Sequence, residues 1–318
     1  MVSGSRLERL LRQGEFVLCG EMSPPQGADK AAILKKCDYF RGYVDAVNLT
    51  DNQTAIVRMS SIMSSVFVLE GGCEPIMQMA CRDRNRLAQQ SDLLGAYAAG
   101  IRNVLCLTGD YQTFGNQGDA KGVFDLDSVQ LIHTVADMNA GTLLSGDELK
   151  PPPAFFIGGA ANPFAEPLEM RIIRLAKKIQ AGAHFIQTQP VFDWPKFEKW
   201  MSAVRDAGLD QKVFIIVGVM PVRSVKALLY MRDEVPGMSI SDECIKRMES
   251  AQDPKEEGVR MCVETMQRLR ETPGVRGIHI MPVMWESITP RLVEEAGFLP
   301  RPEPLPTEQV TAEATETN

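Results

Sequence analysis

The side chains of this sequence best suited to chemistry are polar residues that interrupt short apolar runs near their C-terminal ends. Glu21 closes the run FVLCGEM (16–22) and is followed by the rigid Ser23-Pro24-Pro25 turn. Asn48, Thr50 and Asp51 lie at the end of YVDAVNLT (43–50). Gln78 sits inside PIMQMAC (75–81), with Arg82 and Asp83 directly behind it. Thr108, Gly109 and Asp110 end NVLCLTG (103–109), Asn162 follows AFFIGGA (154–160), and Gln187 and Gln189 belong to HFIQTQPV (184–191). If these ends surround one mouth, they form a ring of donors and acceptors able to bind a polar heterocycle. Glu21 and Asp110 would then share a partly dry cleft, where a carboxylic acid kept neutral donates a proton near neutral pH. The blander alternative pairs them with Arg82 or Lys178 as ion pairs that only hold loops.

Other groups are less specific. Gly158, Gly159, Ala160 and Ala161 carry almost no side-chain volume, which admits a flat ligand to the backbone or simply makes a turn. Lys177 and Lys178, in AKKIQAGA, fall beside the sixth run, where they meet ligand phosphates or form a solvated helix face. GDYQTFGNQGD matches neither the G-x-G-x-x-G fingerprint nor a P-loop. His133 and His184 read as structural, while His279 can point either way from its strand. Seven scattered Cys without a C-x-x-C pair, and no H-E-x-x-H, give no expectation of a metal site built from this chain alone.

What positions these residues is a repeating strand–helix unit. With KVFIIVGVM (212–220) and GIHIMPVM (277–284), the chain has eight short runs, nearly continuous in apolar character, as in strands covered on both faces. Helical patterns separate them, often closed by Gly. The alternation predicts an α/β fold, a (β/α)8 TIM barrel whose strand ends converge on one face. MVSGSRLERLLRQGEF reads as a short N-terminal helix capping the barrel, and ISDECIKRMES and PKEEGVRMCVETMQRLRE add an extra helix between strands seven and eight. The polar loop GDYQTFGNQGDAKGVF leaves the active face, and DELKPPPA connects at the opposite one. Residues 1–300 are expected to form one domain and 301–318 a polar, mobile tail. A net charge of -7 disfavours a nucleic-acid partner. The absence of an apolar run of about 18 residues argues against a transmembrane helix. With no secretory signal and dispersed thiols, a cytoplasmic location is expected.

In order and spacing, GEMSPP (20–25), NVLCLTGD (103–110), AKKIQAGAHFIQTQPVFD (176–193), GVMPVRS (218–224) and GIHIMP (277–282) resemble the methylenetetrahydrofolate reductases, over about residues 14 to 300. The resemblance implies a flavin, usually FAD, in the open top of the barrel. It also implies hydride transfer to the one-carbon unit of 5,10-methylenetetrahydrofolate, giving 5-methyltetrahydrofolate. On that basis Glu21 matches the family's acid, Asp110 contacts the pterin and tunes the flavin, and Gln189 binds folate. Gln78 stands where many members have His. Thr50, Thr108, Gly109, Asp110 and Asn162 lie around the flavin, with Lys178 at a basic position and Lys177 replacing an Arg. The Pro190-Val191-Phe192 run and Asn162 depart from the aromatic residues common there, which puts direct use of NADH in doubt. CRDRNR (81–86) and the loop through AKGVFDLDSVQ look more like reductases of acetogenic anaerobes. That similarity implies an iron–sulfur or zinc-bearing partner subunit, with FMN as the alternative flavin, and the chain is compatible with a homo-oligomer. The rivals are a flavin-free pterin methyltransferase, and a non-catalytic scaffold subunit of an electron-transfer complex.

Overall fold

The computed structural model describes residues 3–235 and 237–305. Eight parallel strands close into a barrel in sequence order, β8 returning to β1. They are β1 (Val17–Met22), β2 (Ala46–Leu49), β3 (Pro75–Ala80), β4 (Asn103–Leu107), β5 (Phe156–Ala161), β6 (Phe185–Pro190), β7 (Phe214–Val219) and β8 (Val275–Ile280). Helix α1 (Arg6–Arg12) precedes the barrel. Helices α2 (Lys30–Cys37), α3 (Ser61–Glu70), α4 (Arg86–Ala98), α5 (Ser128–Asn139), α6 (Leu168–Gln180) and α7 (Trp194–Asp206) each follow a strand. Between β7 and β8 run α8 (Val225–Glu234), α9 (Asp242–Glu249) and α10 (Pro254–Arg270), and α11 (Thr289–Glu295) is the last helix among the described residues. The barrel, the short first helix and the added helices before β8 are therefore as the apolar pattern predicts. The helices begin on the face where the strands end, and most open on a polar N-cap: Asp29, Asn85, Asp127, Asp193 and Asp253 all accept a helix backbone N–H.

The two-residue period of each strand sorts its side chains. Along β1, Val17 and Cys19 enter the lumen cluster, whereas Leu18 and Met22 join the packing against the helices. In the lower lumen Ile76, Leu105, Phe156, Phe185 and Ile216 pack together, and Leu7, Leu10 and Leu11 of α1 close it from below. Gly158 is spent on this packing. A Cβ there would stand 2.2 Å from the Phe185 ring, and one on Gly159 would meet Ile132 at 3.0 Å on the helix side. The bare backbone of β5 is thus filled by protein at these two positions and open to a ligand only at Ala160 and Ala161. Gly158→Ala (G158A) is expected to cost about 1–3 kcal/mol by overpacking a lumen that cannot give way, read as a lower denaturation midpoint.

Above the apolar lumen sits one polar crosspiece. Asn48 Nδ2 donates to Gln187 Oε1 at 2.6 Å, and Gln187 Nε2 donates back to Asn48 Oδ1 at 3.0 Å. The two amides come from β2 and β6, across the barrel from one another, and both are buried. They divide the dry lower lumen from the polar mouth.

The opposite end is tied by charge. Asp45, with no side-chain exposure, pairs with Arg301, whose side chain is 6% exposed, at 2.5 Å. Asp45 also accepts the Leu18 N–H at 2.8 Å, and Arg301 donates to the Phe16 carbonyl at 2.9 Å. Composition starts a mobile tail at Arg301, but this residue is fastened to the barrel. Residues 306–318 lie outside the described residues.

Candidate active site

Glu21 is the centre of the mouth. Its strand position puts it on the lumen side, two residues above Cys19, and register sets it beside Asn48. Its Oε2 lies 3.3 Å from Gln78 Nε2 and 3.3 Å from His279 Nε2. Three strands, β1, β3 and β8, therefore converge on one carboxylate oxygen. Oε1 accepts no hydrogen bond from the described residues. The Glu21 side chain keeps 16% exposure while that of His279 keeps 3%, so the acid reaches solvent and its partner does not. His279 Nδ1 is buried with no partner among the described residues, so Glu21 is what orients the imidazole among them. The direction of His279 was open in the sequence. The signal that decides it is parity with Gly277, where a Cβ would stand 2.5 Å from the Val17 side chain.

The wall formed by β2 and β4 is more open. Thr50 Oγ1 donates to Gln53 Oε1 at 2.6 Å, and Gln53 Nε2 to Ser23 Oγ at 2.9 Å, which links the loops after β1 and β2. Thr108 Oγ1 accepts the Ser128 N–H at 3.1 Å and so holds the start of α5. Gly109 has φ +91, and a Cβ there would stand 3.0 Å from that of Arg82. Beyond this turn Asp110 is exposed, so it does not share a dry cleft with Glu21. Nor, among the described residues, does it form the ion pair with Arg82 that was the alternative to that reading. The Arg82 guanidinium holds Asp83 at 2.7 Å and reaches only the backbone carbonyl of Asp110, at 3.4 Å. A loop side chain is not placed by strand parity, which is why its surroundings were not legible.

Between the ends of β5 and β6 and helix α6 lies a cleft of about 210 Å³, lined by Ala160, Ala161, Asn162, Arg171, Arg174, Lys178 and Gln189 among others. Arg171, Arg174 and Lys178 share one helical face by their spacing. Lys178 is buried, and its Nζ donates to the Ala160 carbonyl at 2.5 Å. Burial, reinforced by the neighbouring Arg174 charge, pushes its pKa down to about 8. Lys177, the next residue back, is exposed and does not line the cleft, so the structure does not bring the two lysines together. Arg171 and Arg174 were missed in the sequence, although their spacing to Lys178 was there to read. Asn162 is engaged in holding a loop, donating to the Gly237 carbonyl at 3.0 Å and accepting from the Phe164 N–H at 2.9 Å. Small residues on one side and three cations on the other suit a flat, phosphorylated cofactor.

Lys178 gives a pH-dependent expectation. Its folded value of about 8 is below the ordinary 10.5, so between these values the unfolded chain binds more protons and stability rises with pH through that window. Anion binding has the opposite sign, because the charge that attracts phosphate is lost above about 8. Affinity for a phosphorylated ligand in this cleft is expected to be flat below that pH and to fall above it. Lys178→Met (K178M) should weaken binding of such a ligand about tenfold or more and flatten the profile, checked by titration with FMN as the probe at pH 7 and 9.

Among the described residues no helix is long and apolar enough to cross a membrane. The sequence model of the family Methylenetetrahydrofolate reductase matches residues 6–297. Methylenetetrahydrofolate reductase 2 of Saccharomyces cerevisiae is 29% identical over 240 residues, covering 72% of this chain and 37% of that protein. The probable methylenetetrahydrofolate reductase (NADPH) of Caenorhabditis elegans is 26% identical over 311 residues, covering 92% and 44%. The chain thus spans roughly two fifths of the length of these relatives. A solved structure of an uncharacterized protein from Clostridium thermocellum, which binds two copies of 5-methyl-5,6,7,8-tetrahydrofolic acid, superposes with a TM-score of 0.65. It covers 91% of this chain and 97% of its own at 16% identity, a likeness of fold.

Proposed function

The chain belongs to the methylenetetrahydrofolate reductase family, and from that premise we propose that it reduces 5,10-methylenetetrahydrofolate to 5-methyltetrahydrofolate. The observation that carries the reading is the lumen-facing Glu21, held by Gln78 and His279 with one oxygen left for a ligand. A flavin, held by Arg171, Arg174 and Lys178 on its phosphates and by the small β5 end, supplies the hydride chemistry. Glu21 delivers a proton to folate N10, which opens the imidazolidine ring to the N5-iminium that accepts hydride. Gln78 and His279 fix the carboxylate so that little reorganisation accompanies the transfer. Gln189 and Asp110 contact the folate, Asp110 from the open β4 loop, while Thr50, Thr108, Gly109 and Asn162 shape the surrounding rim. The methyl-folate bound by the Clostridium thermocellum neighbour supports this choice of ligand. Residues 1–300 act as one flavin- and folate-binding unit.

Electrons would reach the flavin through the iron–sulfur centre of a partner subunit, in which any zinc is structural only, as the resemblance to the acetogen-type reductases implies. The loop after β4 supports this, since it presents Tyr111 and Phe114 at 68% and 57% exposure. The test is an anaerobic visible spectrum of the purified chain. Bleaching of a bound flavin by reduction with 5-methyltetrahydrofolate supports the reductase. Bleaching by NADH as well removes the need for a partner. A folded protein that holds no flavin, and takes up neither FAD nor FMN, sinks the reading in favour of a pterin methyltransferase.

A further inference from the structure

The seven cysteines look scattered along the sequence, but the fold brings two of them together. Cys37 ends α2, and Cys73 stands in the turn that leads from α3 into β3. Cys73 Sγ lies 3.7 Å from the Cys37 carbonyl oxygen, and its thiol also hydrogen-bonds the Cys37 thiol, across 36 positions of chain. Tight packing fixes this meeting. A Cβ on Gly71 would stand 2.6 Å from Cys37 Sγ, so only glycine lets the turn before Cys73 lie on the end of α2. Arg41 pins that turn, since its Nη2 and Nε both donate to the Gly71 carbonyl, at 2.6 Å and 3.0 Å. The hydrogen bond between the thiols lowers the Cys37 pKa from its ordinary value and raises that of Cys73, while the Arg41 charge favours the thiolate of either.

The two thiols differ in access. Cys37 is fully buried, whereas Cys73 is half-buried and lines, with Arg41, a cleft of about 710 Å³ on the face away from the mouth. That volume admits a peptide-sized reagent. Cys19, Cys81, Cys106 and Cys262 are buried, and the half-buried Cys244 donates its thiol to the Phe192 carbonyl at 3.2 Å. We propose that Cys37 and Cys73 close to a reversible disulfide, a redox-controlled clasp between α2 and the entry to β3, with glutathione disulfide as the oxidant. The Cys73 sulfur attacks one sulfur of glutathione disulfide, loses its proton and expels one glutathione as the thiol. The Cys37 sulfur then attacks the Cys73 sulfur, loses its proton and expels the second. One disulfide is reduced, one is formed, and both thiol protons leave on glutathione. The bond restrains the unfolded chain over 36 positions, so the oxidised protein is the more stable form. No residue of the mouth takes part, so the clasp stands or falls independently of the reductase reading.

The test equilibrates the folded full chain with glutathione disulfide, blocks the remaining thiols under denaturing conditions, and maps the peptides by mass spectrometry. The wild type is expected to lose two of its seven thiols to one linked pair, Cys37 with Cys73, and to regain both on treatment with dithiothreitol. Cys73→Ser (C73S) should form no disulfide. Cys37→Ala (C37A), which lacks the second thiol, should stop with one glutathione bound to Cys73. The oxidised wild type should melt about 5 °C or more above the reduced protein, an advantage absent from C73S. Seven intact thiols in the treated wild type, a link joining any other pair, or glutathione retained on Cys73 of the wild type each overturns the proposal. So does an oxidised protein that melts no higher than the reduced one. If C37A does not fold, the linked peptide in the wild type and the half-buried C73S still decide the matter.

Discussion

Glu21→Gln (E21Q) is expected to keep its flavin and lose folate-dependent turnover by roughly 10²-fold or more, the scale of a lost general acid. The amide is nearly isosteric and still accepts a hydrogen bond from Gln78 or His279, so the mouth should keep its shape. What it cannot do is release a proton to N10. The half-reactions separate the two roles. Reduction of the flavin by its electron donor should be close to wild type, because the role proposed for Glu21 is confined to the folate step. Flavin reoxidation by methylenetetrahydrofolate should carry the whole defect, read by stopped-flow absorbance. A variant that reoxidises at the wild-type rate would remove Glu21 from the role of acid.

The second large effect lies at the other end of the barrel. Asp45→Ala (D45A) is expected to destabilise the fold by about 3–5 kcal/mol, the range for breaking a buried ion pair from one side. Two losses combine. Arg301 would remain nearly buried with its carboxylate gone, and the Leu18 N–H would lose its acceptor. A compensating D45A/R301L double variant should recover much of the loss, since the stranded charge is then absent. Urea titration of both proteins checks this. A single variant within about 1 kcal/mol of wild type would show that water reaches Arg301 freely.

Much of this molecule was legible in its alternation of apolar and polar residues. Strand parity is a strong constraint in a closed barrel, and it carries Glu21 and Gln78 to the lumen without further information. It would have carried His279 there too, had Gly277 been read as its lumen-side neighbour. Helix spacing is equally strong. Lys178 was singled out, but its face of α6 continues to Arg174 and Arg171, not to Lys177, because adjacent residues on a helix diverge by about 100°. Gly158 was read as room for a ligand or as part of a turn and is instead room for Phe185, a partner 27 residues on that only the β5–β6 register identifies. Asp110 resisted because it lies beyond Gly109, where the chain leaves the strand and periodicity ends. Loops are placed by tertiary contacts, and no local pattern encodes those.

The fastening of Arg301 to Asp45 also has a practical side. Arg6 pairs with Asp45 and with Glu303, so the beginning and the last described stretch of the chain meet on the face away from the mouth. An immobilisation handle joined after Leu305 would therefore depart from the rear of the molecule. Protein tethered this way to an electrode or a bead would present the barrel mouth to the medium, leaving access to Glu21 unobstructed.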